Sequence, residues 1–222
     1  MAVALSLLAV AIMLIGLTRL VCVLFLVGKP LSNSHSSSSV KTLIVLGSGG
    51  HTAEMLNLVA VLKKERFYPR WYVAAATDNM SLERARTAEE SRPEQVEGKL
   101  FQGAEYMKIY RSREVGQSYL TSVGTTLVAM IHAMWLICQI RPDVILCNGP
   151  GTCIPLCIAG FCLKVIGIKW VMIFYVESIA RVKKLSLSGW LLYKLHLADQ
   201  LFVQWPQLKQ KYTKAHYVGR LM

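Results

Sequence analysis

Thr42-Leu43-Ile44-Val45-Leu46 runs straight into Gly47-Ser48-Gly49-Gly50-His51, and an amphipathic helical pattern opens behind the glycines. A short aliphatic run that breaks into glycines ahead of a helix has the strand, loop and helix grammar of a phosphate or pyrophosphate site. Glycine lets the backbone approach an anion because no Cβ stands in the way. The first amides of the following helix are unpaired donors, and the helix dipole favours negative charge there. The spacing is neither G-x-G-x-x-G nor a Walker loop, which argues against nicotinamide and ATP. A ligand-free βα turn is the simpler alternative, although three glycines in four positions exceed what a turn needs. His51 is either a helix-start residue or, at the mouth of the loop, a catalytic one.

The rest of the chain repeats this alternation. Its patterning predicts strands over Thr42–Leu46, Trp71–Ala76, Tyr106–Tyr110, Val144–Cys147, Trp170–Val176, Gln200–Gln204 and His216–Val218. Helices are predicted over His51–Glu65, Ser81–Arg92, Tyr119–Ile140, Thr152–Ile166, Gly189–Leu197 and Pro206–Tyr212. Near-continuous apolar strands separated by helices predict an α/β fold, one Rossmann-like, doubly wound parallel sheet. Residues 119–140 carry no charge and could span a membrane by length. Their interspersed Thr, Ser, Gly and His, and the direct lead into an Arg-Pro-Asp turn, instead predict a buried or membrane-grazing helix.

Ala2 to Val27 is apolar except for Ser6, Thr18 and Arg19. As a helix it would measure roughly 39 Å, enough to cross a hydrocarbon core of about 30 Å with tilt. No Lys or Arg precedes the run, which favours an uncleaved transmembrane anchor over a signal peptide. Arg19 would snorkel to an interface, or the span would end near Thr18 with Leu20–Val27 along the surface. The expected organisation is an anchor over 1–28, a Ser-rich linker over 29–40 and a single domain over 41–222. Lys29 and Lys41 follow the helix, so the positive-inside rule puts that domain in the cytosol.

The formal net charge is +12, with basic clusters near Lys63, Lys108 to Arg113, Arg181 to Lys184 and Lys209 to Lys214. No aromatic-rich basic motif accompanies them, so nucleic acid is not expected as a partner. Anionic lipid head groups and pyrophosphate substrates suit the balance better. The six cysteines show no C-x-x-C pair and no zinc spacing, so neither metal nor cofactor is expected.

In an open α/β sheet, ligands sit outside the carboxyl ends of the strands. Three further segments fall there. Arg111 and Arg113 could grip phosphate bidentately. Asn148-Gly149-Pro150-Gly151-Thr152 is a second glycine loop leading into a helix, whose Thr152 could cap it or bind an anion. Glu177 ends an apolar strand and could hold sugar hydroxyls or accept a proton. Taken singly, turn chemistry and ion pairing explain each; together with Gly47–His51 they predict a shared site for an anionic sugar.

The blocks G-S-G-G-H-T-A-E-M, Y-R-S-R-E-V, R-P-D-V-I-L-C-N-G-P-G-T-C-I-P, F-Y-V-E-S-I-A-R-V and F-V-Q-W-P followed by Y-V-G-R closely resemble the asparagine-linked glycosylation 14 family. The resemblance covers essentially the whole chain. It implies the N-terminal half of a GT-B glycosyltransferase, anchored in the endoplasmic reticulum membrane. It implies the acceptor-side subunit of a UDP-GlcNAc transferase that adds the second GlcNAc to dolichol-pyrophosphate-GlcNAc by inversion. A cytosolic partner, the glycosylation 13 protein, would carry the UDP-GlcNAc site, and this chain would be inactive alone. By match, Gly47, Gly49, Gly50, Asn148, Gly149, Pro150 and Gly151 become acceptor-pyrophosphate candidates, to which the reading of the residues themselves adds Ser48, Arg111, Arg113 and Thr152. His51 and Glu177 become catalytic candidates, with the base unassigned between them. The closing Tyr217, Val218, Arg220, Leu221 and Met222 lie where the second GT-B half would begin and are expected to meet the partner. A purely structural adaptor and a self-sufficient glycosyltransferase stand as alternatives.

Overall fold

The computed structural model of the protein describes residues 1–28, 39–91, 95–96, 99–100, 103–112, 119–149 and 151–221. The first half holds α1 (Ala2–Leu26), β1 (Thr42–Val45), α2 (Gly50–Val61), β2 (Arg70–Ala75), α3 (Ser81–Glu90), β3 (Gln95–Val96), β4 (Lys99–Leu100) and β5 (Glu105–Ile109). The second holds α4 (Tyr119–Ile140), β6 (Val144–Cys147), α5 (Cys153–Ile166), β7 (Met172–Val176), α6 (Leu187–Lys194), β8 (Gln200–Val203), α7 (Pro206–Lys211) and β9 (His216–Tyr217). Arg113, Pro150, Met222 and most of the expected linker lie outside the described residues.

Seven strands form one parallel sheet in the order β5-β2-β1-β6-β7-β8-β9. Every residue of β1 and β6 is buried, as expected for central strands covered on both faces. From β1 the chain winds outward through β2 to β5, then returns to add β6 on the other side of β1. The topological switch point therefore falls between β1 and β6, directly below both glycine loops. The sequence did not predict the small antiparallel pair β3-β4, whose strands span two residues each.

Alternate side chains of each strand enter different layers. Leu43, Val45, Ile145, Cys147 and Ile173 face α4, α5, α6 and α7, packing with Leu136, Ile137, Leu156, Leu192 and Leu208. Ile44, Leu46, Tyr72 and Ala74 face α2 and α3, packing with Met55, Leu58, Val59, Leu82 and Ala85. On this second face an apolar groove of about 240 Å³ lies over β6 to β8, lined by Leu146, Phe174, Phe202, Val218 and Leu221 among others.

α4 is the crossover from β5 to β6. Ala129, Ala133, Leu136, Ile137 and Ile140 are buried, while Val123, Leu127, Ile131 and Trp135 form an exposed apolar stripe one turn apart. α1 and α4 are each long and apolar enough to cross a membrane. α1 is exposed from its start through Arg19 at the described side chains, but Val23 enters the main core, flanked by Leu20 and Val27. Arg19 lies 3.4 Å from the carbonyls of both Lys164 and Val165, at the end of α5 where the helix dipole is negative. Beneath it, Lys164 Nζ and Asp199 Oδ2 form a buried ion pair at 2.6 Å that also takes the Ile173 amide. The last turn of α1 is thus docked on the domain, and the Gly28 carbonyl accepts from Gln200 Nε2.

Candidate active site

β1 delivers the first loop. Gly49, at φ +60° and ψ −118°, caps α2 in a conformation that L side chains rarely adopt, and a Cβ there would meet open space. The loop is fixed from below. The Thr52 hydroxyl meets the Gly47 carbonyl, Ser81 Oγ lies 2.8 Å from the same carbonyl, and Ser81 Oγ reaches Asp78 Oδ2 at 2.6 Å. Asp78 Oδ1 accepts from the Met80 and Ser81 amides. The first-turn amides of α2 have no intrahelical acceptors and open toward the loop.

β6 delivers the second loop beside it. Gly149 adopts φ +67°, and a Cβ on it would lie 2.5 Å from His51 Cε1, so the imidazole packs where only glycine leaves room. Asn148 is buried, and its side chain is held in a network. Its Oδ1 lies 3.3 Å from His51 Nδ1, and its Nδ2 donates to Glu54 Oε2 at 2.9 Å. Glu54 Oε1 accepts from Ser178 Oγ at 2.9 Å. Glu54 Oε2 also lies 3.7 Å from His51 Nδ1. Three strand ends, those of β1, β6 and β7, therefore meet in one cluster of His51, Glu54, Asn148 and Ser178. Glu54 and Ser178 carried no expected role. The signal for Glu54 was present in the sequence, because residues three apart on a helix share a face.

Glu177 is fully buried and turned away from this cluster. Its Oε2 accepts from the Ser186 amide and hydroxyl at 2.9 and 3.1 Å, and its Oε1 accepts from the Ser178 amide at 3.2 Å. Burial pushes its pKa up, opposed by the Ser186 and Ser178 hydrogen bonds. The carboxylate ties β7 to the start of α6, where Ser186 caps the helix. Thr152 occupies the N-cap position of α5, but its side chain makes no capping hydrogen bond; its hydroxyl is buried without a partner among the described residues. Gly151 is exposed beside it. Arg111 follows β5, two strands from β1, or about 10 Å by interstrand spacing. Beneath the second loop, the sulfurs of Cys147, Cys153 and Cys157 lie within 4.8 Å of one another and are buried. Three thiols at that separation could share a soft cation.

At the C-terminal end, Tyr217 on β9 and Val218 just after it are exposed. Arg220 stacks over Trp205 at 4.8 Å, and the Leu221 amide donates to Gln204 Oε1 at 3.0 Å.

A doubly wound parallel sheet with two glycine loops at its switch point is the architecture of a GT-B-like domain. A crystal structure of MurG from Acinetobacter baumannii superimposes with a TM-score of 0.52 at 15% identity, covering 75% of this chain and 41% of that one. The chain belongs to the family described as oligosaccharide biosynthesis protein Alg14 like, whose model matches residues 42–221. It is similar to the UDP-N-acetylglucosamine transferase subunit ALG14 of Rattus norvegicus, 50% identical over 83% of this chain and 84% of the relative. The protein of the same name from Homo sapiens is 46% identical over 83% and 84%, and that from Yarrowia lipolytica 40% identical over 96% of each.

Proposed function

We propose that this chain is the membrane-anchoring, acceptor-binding subunit of a UDP-GlcNAc transferase. In this reading it acts at the cytosolic face of the endoplasmic reticulum and adds the second GlcNAc to dolichol-pyrophosphate-GlcNAc. The observation that carries the reading is the joining of both glycine loops and His51 at the switch point of a GT-B-like sheet, in a chain of the Alg14 family. The names of the relatives, each a transferase subunit, support a complex with a separate catalytic partner.

The acceptor pyrophosphate lies against the Gly47–Gly50 loop and the first amides of α2. His51 Nε2, which has no hydrogen-bond partner among the described residues, takes the proton from the acceptor sugar hydroxyl. The oxygen's electron pair forms the bond to the anomeric carbon, and UDP leaves with the electrons of the bond that breaks. The partner holds UDP-GlcNAc. Glu177, buried under α6, supports the fold, which favours His51 as the base. The partner meets the exposed Tyr217 and Val218 and the adjoining groove over Phe174 and Phe202. α1 enters the bilayer up to about Thr18, a helical length of roughly 25 Å, while the exposed stripe of α4 rests on the surface.

Membranes carrying this chain, the cytosolic partner or both, supplied with labelled UDP-GlcNAc and a lipid-pyrophosphate-GlcNAc acceptor, test the reading. Transfer is expected only with both subunits, and protease added to sealed microsomes should digest the domain. Transfer by the chain alone, or full protection of its C-terminus, would contradict it.

A further inference from the structure

We propose that Glu54 sets the tautomer of His51 through the Asn148 amide and is a positioning residue for proton transfer; this rests on the reading of His51 as the base. The derivation starts at the carboxylate, which when ionised only accepts hydrogen bonds. Glu54 Oε2 lies 2.9 Å from the Asn148 side-chain amide, so the NH₂ group must face it. The other end of that amide, the carbonyl Oδ1, then faces His51 Nδ1 at 3.3 Å. A carbonyl also only accepts, so Nδ1 carries the ring hydrogen. Nε2 is left with its lone pair, in the state a general base requires.

Further contacts fix the carboxylate and the amide. Ser178 Oγ fixes Glu54 Oε1 at 2.9 Å, and the Ser178 hydroxyl itself accepts from the Ala180 amide at 3.3 Å. The Glu54 side chain is 14% exposed, and Asn148 is 1% exposed. A Cβ on Gly149 would lie 2.5 Å from His51 Cε1, so the imidazole sits close against this glycine. Once Nε2 has taken the proton, the imidazolium has the carboxylate 3.7 Å from its Nδ1, a favourable charge separation inside a partly dry site.

The experiment uses the complex purified with its partner, assayed with UDP-GlcNAc and a short-chain lipid-pyrophosphate-GlcNAc acceptor. Glu54→Gln can present its own NH₂ to Asn148, so the amide can reverse and the tautomer is no longer imposed. The expected loss in kcat is about 10- to 100-fold, with the acceptor KM within about twofold. Glu54→Asp remains acceptor-only and should keep more of kcat than Glu54→Gln. In a His51→Ala background, Glu54→Gln should add no further loss, because a residue acting through another is non-additive with it. A loss that multiplies with that of His51→Ala would overturn the proposal, as would a raised KM at unchanged kcat or unaltered kinetics. If Glu54→Gln fails to accumulate, Glu54→Asp in the two backgrounds decides by the same additivity criterion. A wild-type complex that transfers nothing would defeat the functional reading and this proposal with it. An active complex with additive losses would defeat the proposal alone.

Discussion

At Gly149 a Cβ would lie 2.5 Å from His51 Cε1, and the backbone sits at φ +67°. Gly149→Ala therefore strains the turn and displaces the imidazole together. Small misplacements of a reacting group are costly, so kcat should fall about 10- to 100-fold while the chain still reaches the membrane; wild-type kcat in a well-folded variant would contradict the packing argument. Glu177 makes a different prediction. Its folded-state pKa is raised chiefly by burial. A raised carboxyl favours the protonated form, so its contribution to stability is fully present below the ordinary carboxylate range and is lost as pH rises through the raised value. Thermal unfolding of the complex across that range should show the decline in wild type and a flatter profile in Glu177→Gln. Equal slopes would remove Glu177 as its source. Position after a strand was legible for Glu177, but direction was not: the Ser186 amide and hydroxyl draw the carboxylate inward under α6. For Asn148 the strand-end position was likewise legible. Its engagement by Glu54 and His51 depends on a contact across 94 residues of sequence, which no local pattern encodes.

The elements themselves were more legible than their contacts. Every strand of the main sheet was located in the sequence, the central ones because buried parallel strands read as aliphatic runs bounded by turns. Helix ends differed where tertiary context intervened: α2 stops at Val61, with Leu62 extended, before the apparent helical pattern ends. The two-residue strands β3 and β4 are too short to leave a periodic signal. Length made α1 recognisable, whereas its docking did not follow from length. Val23 is buried in the main core, and Arg19 reaches the end of α5. A charged residue at Val23 should break that seam, so Val23→Asp is expected to destabilise the docked arrangement by about 2–4 kcal/mol. The variant should stay in the membrane but show faster amide exchange at the last turn of α1 and at the end of α5. Unchanged exchange at both would mean that the seam contributes little.

Across the whole molecule, one sheet face is covered by α4 to α7, and the other leaves a groove over β6 to β8 beside an exposed Tyr217 and Val218. Leu221 and Arg220 are engaged with this chain's own Gln204 and Trp205, so truncating them would disturb the fold. Tyr217→Ala with Val218→Asp separates the two roles. The doubly substituted chain should remain abundant in membranes and fail to hold its partner on co-precipitation; retained partner would move the interface elsewhere. The central claim is that the first glycine loop holds the acceptor's pyrophosphate. The most direct measurement is the affinity of the detergent-solubilised chain for a short-chain lipid-pyrophosphate-GlcNAc, compared with Gly49→Val. At φ +60° a valine distorts the loop that admits the anion, so wild type should bind and the variant should bind about tenfold more weakly or worse. Equal affinity in a folded Gly49→Val chain, or no acceptor binding by wild type, would contradict the account.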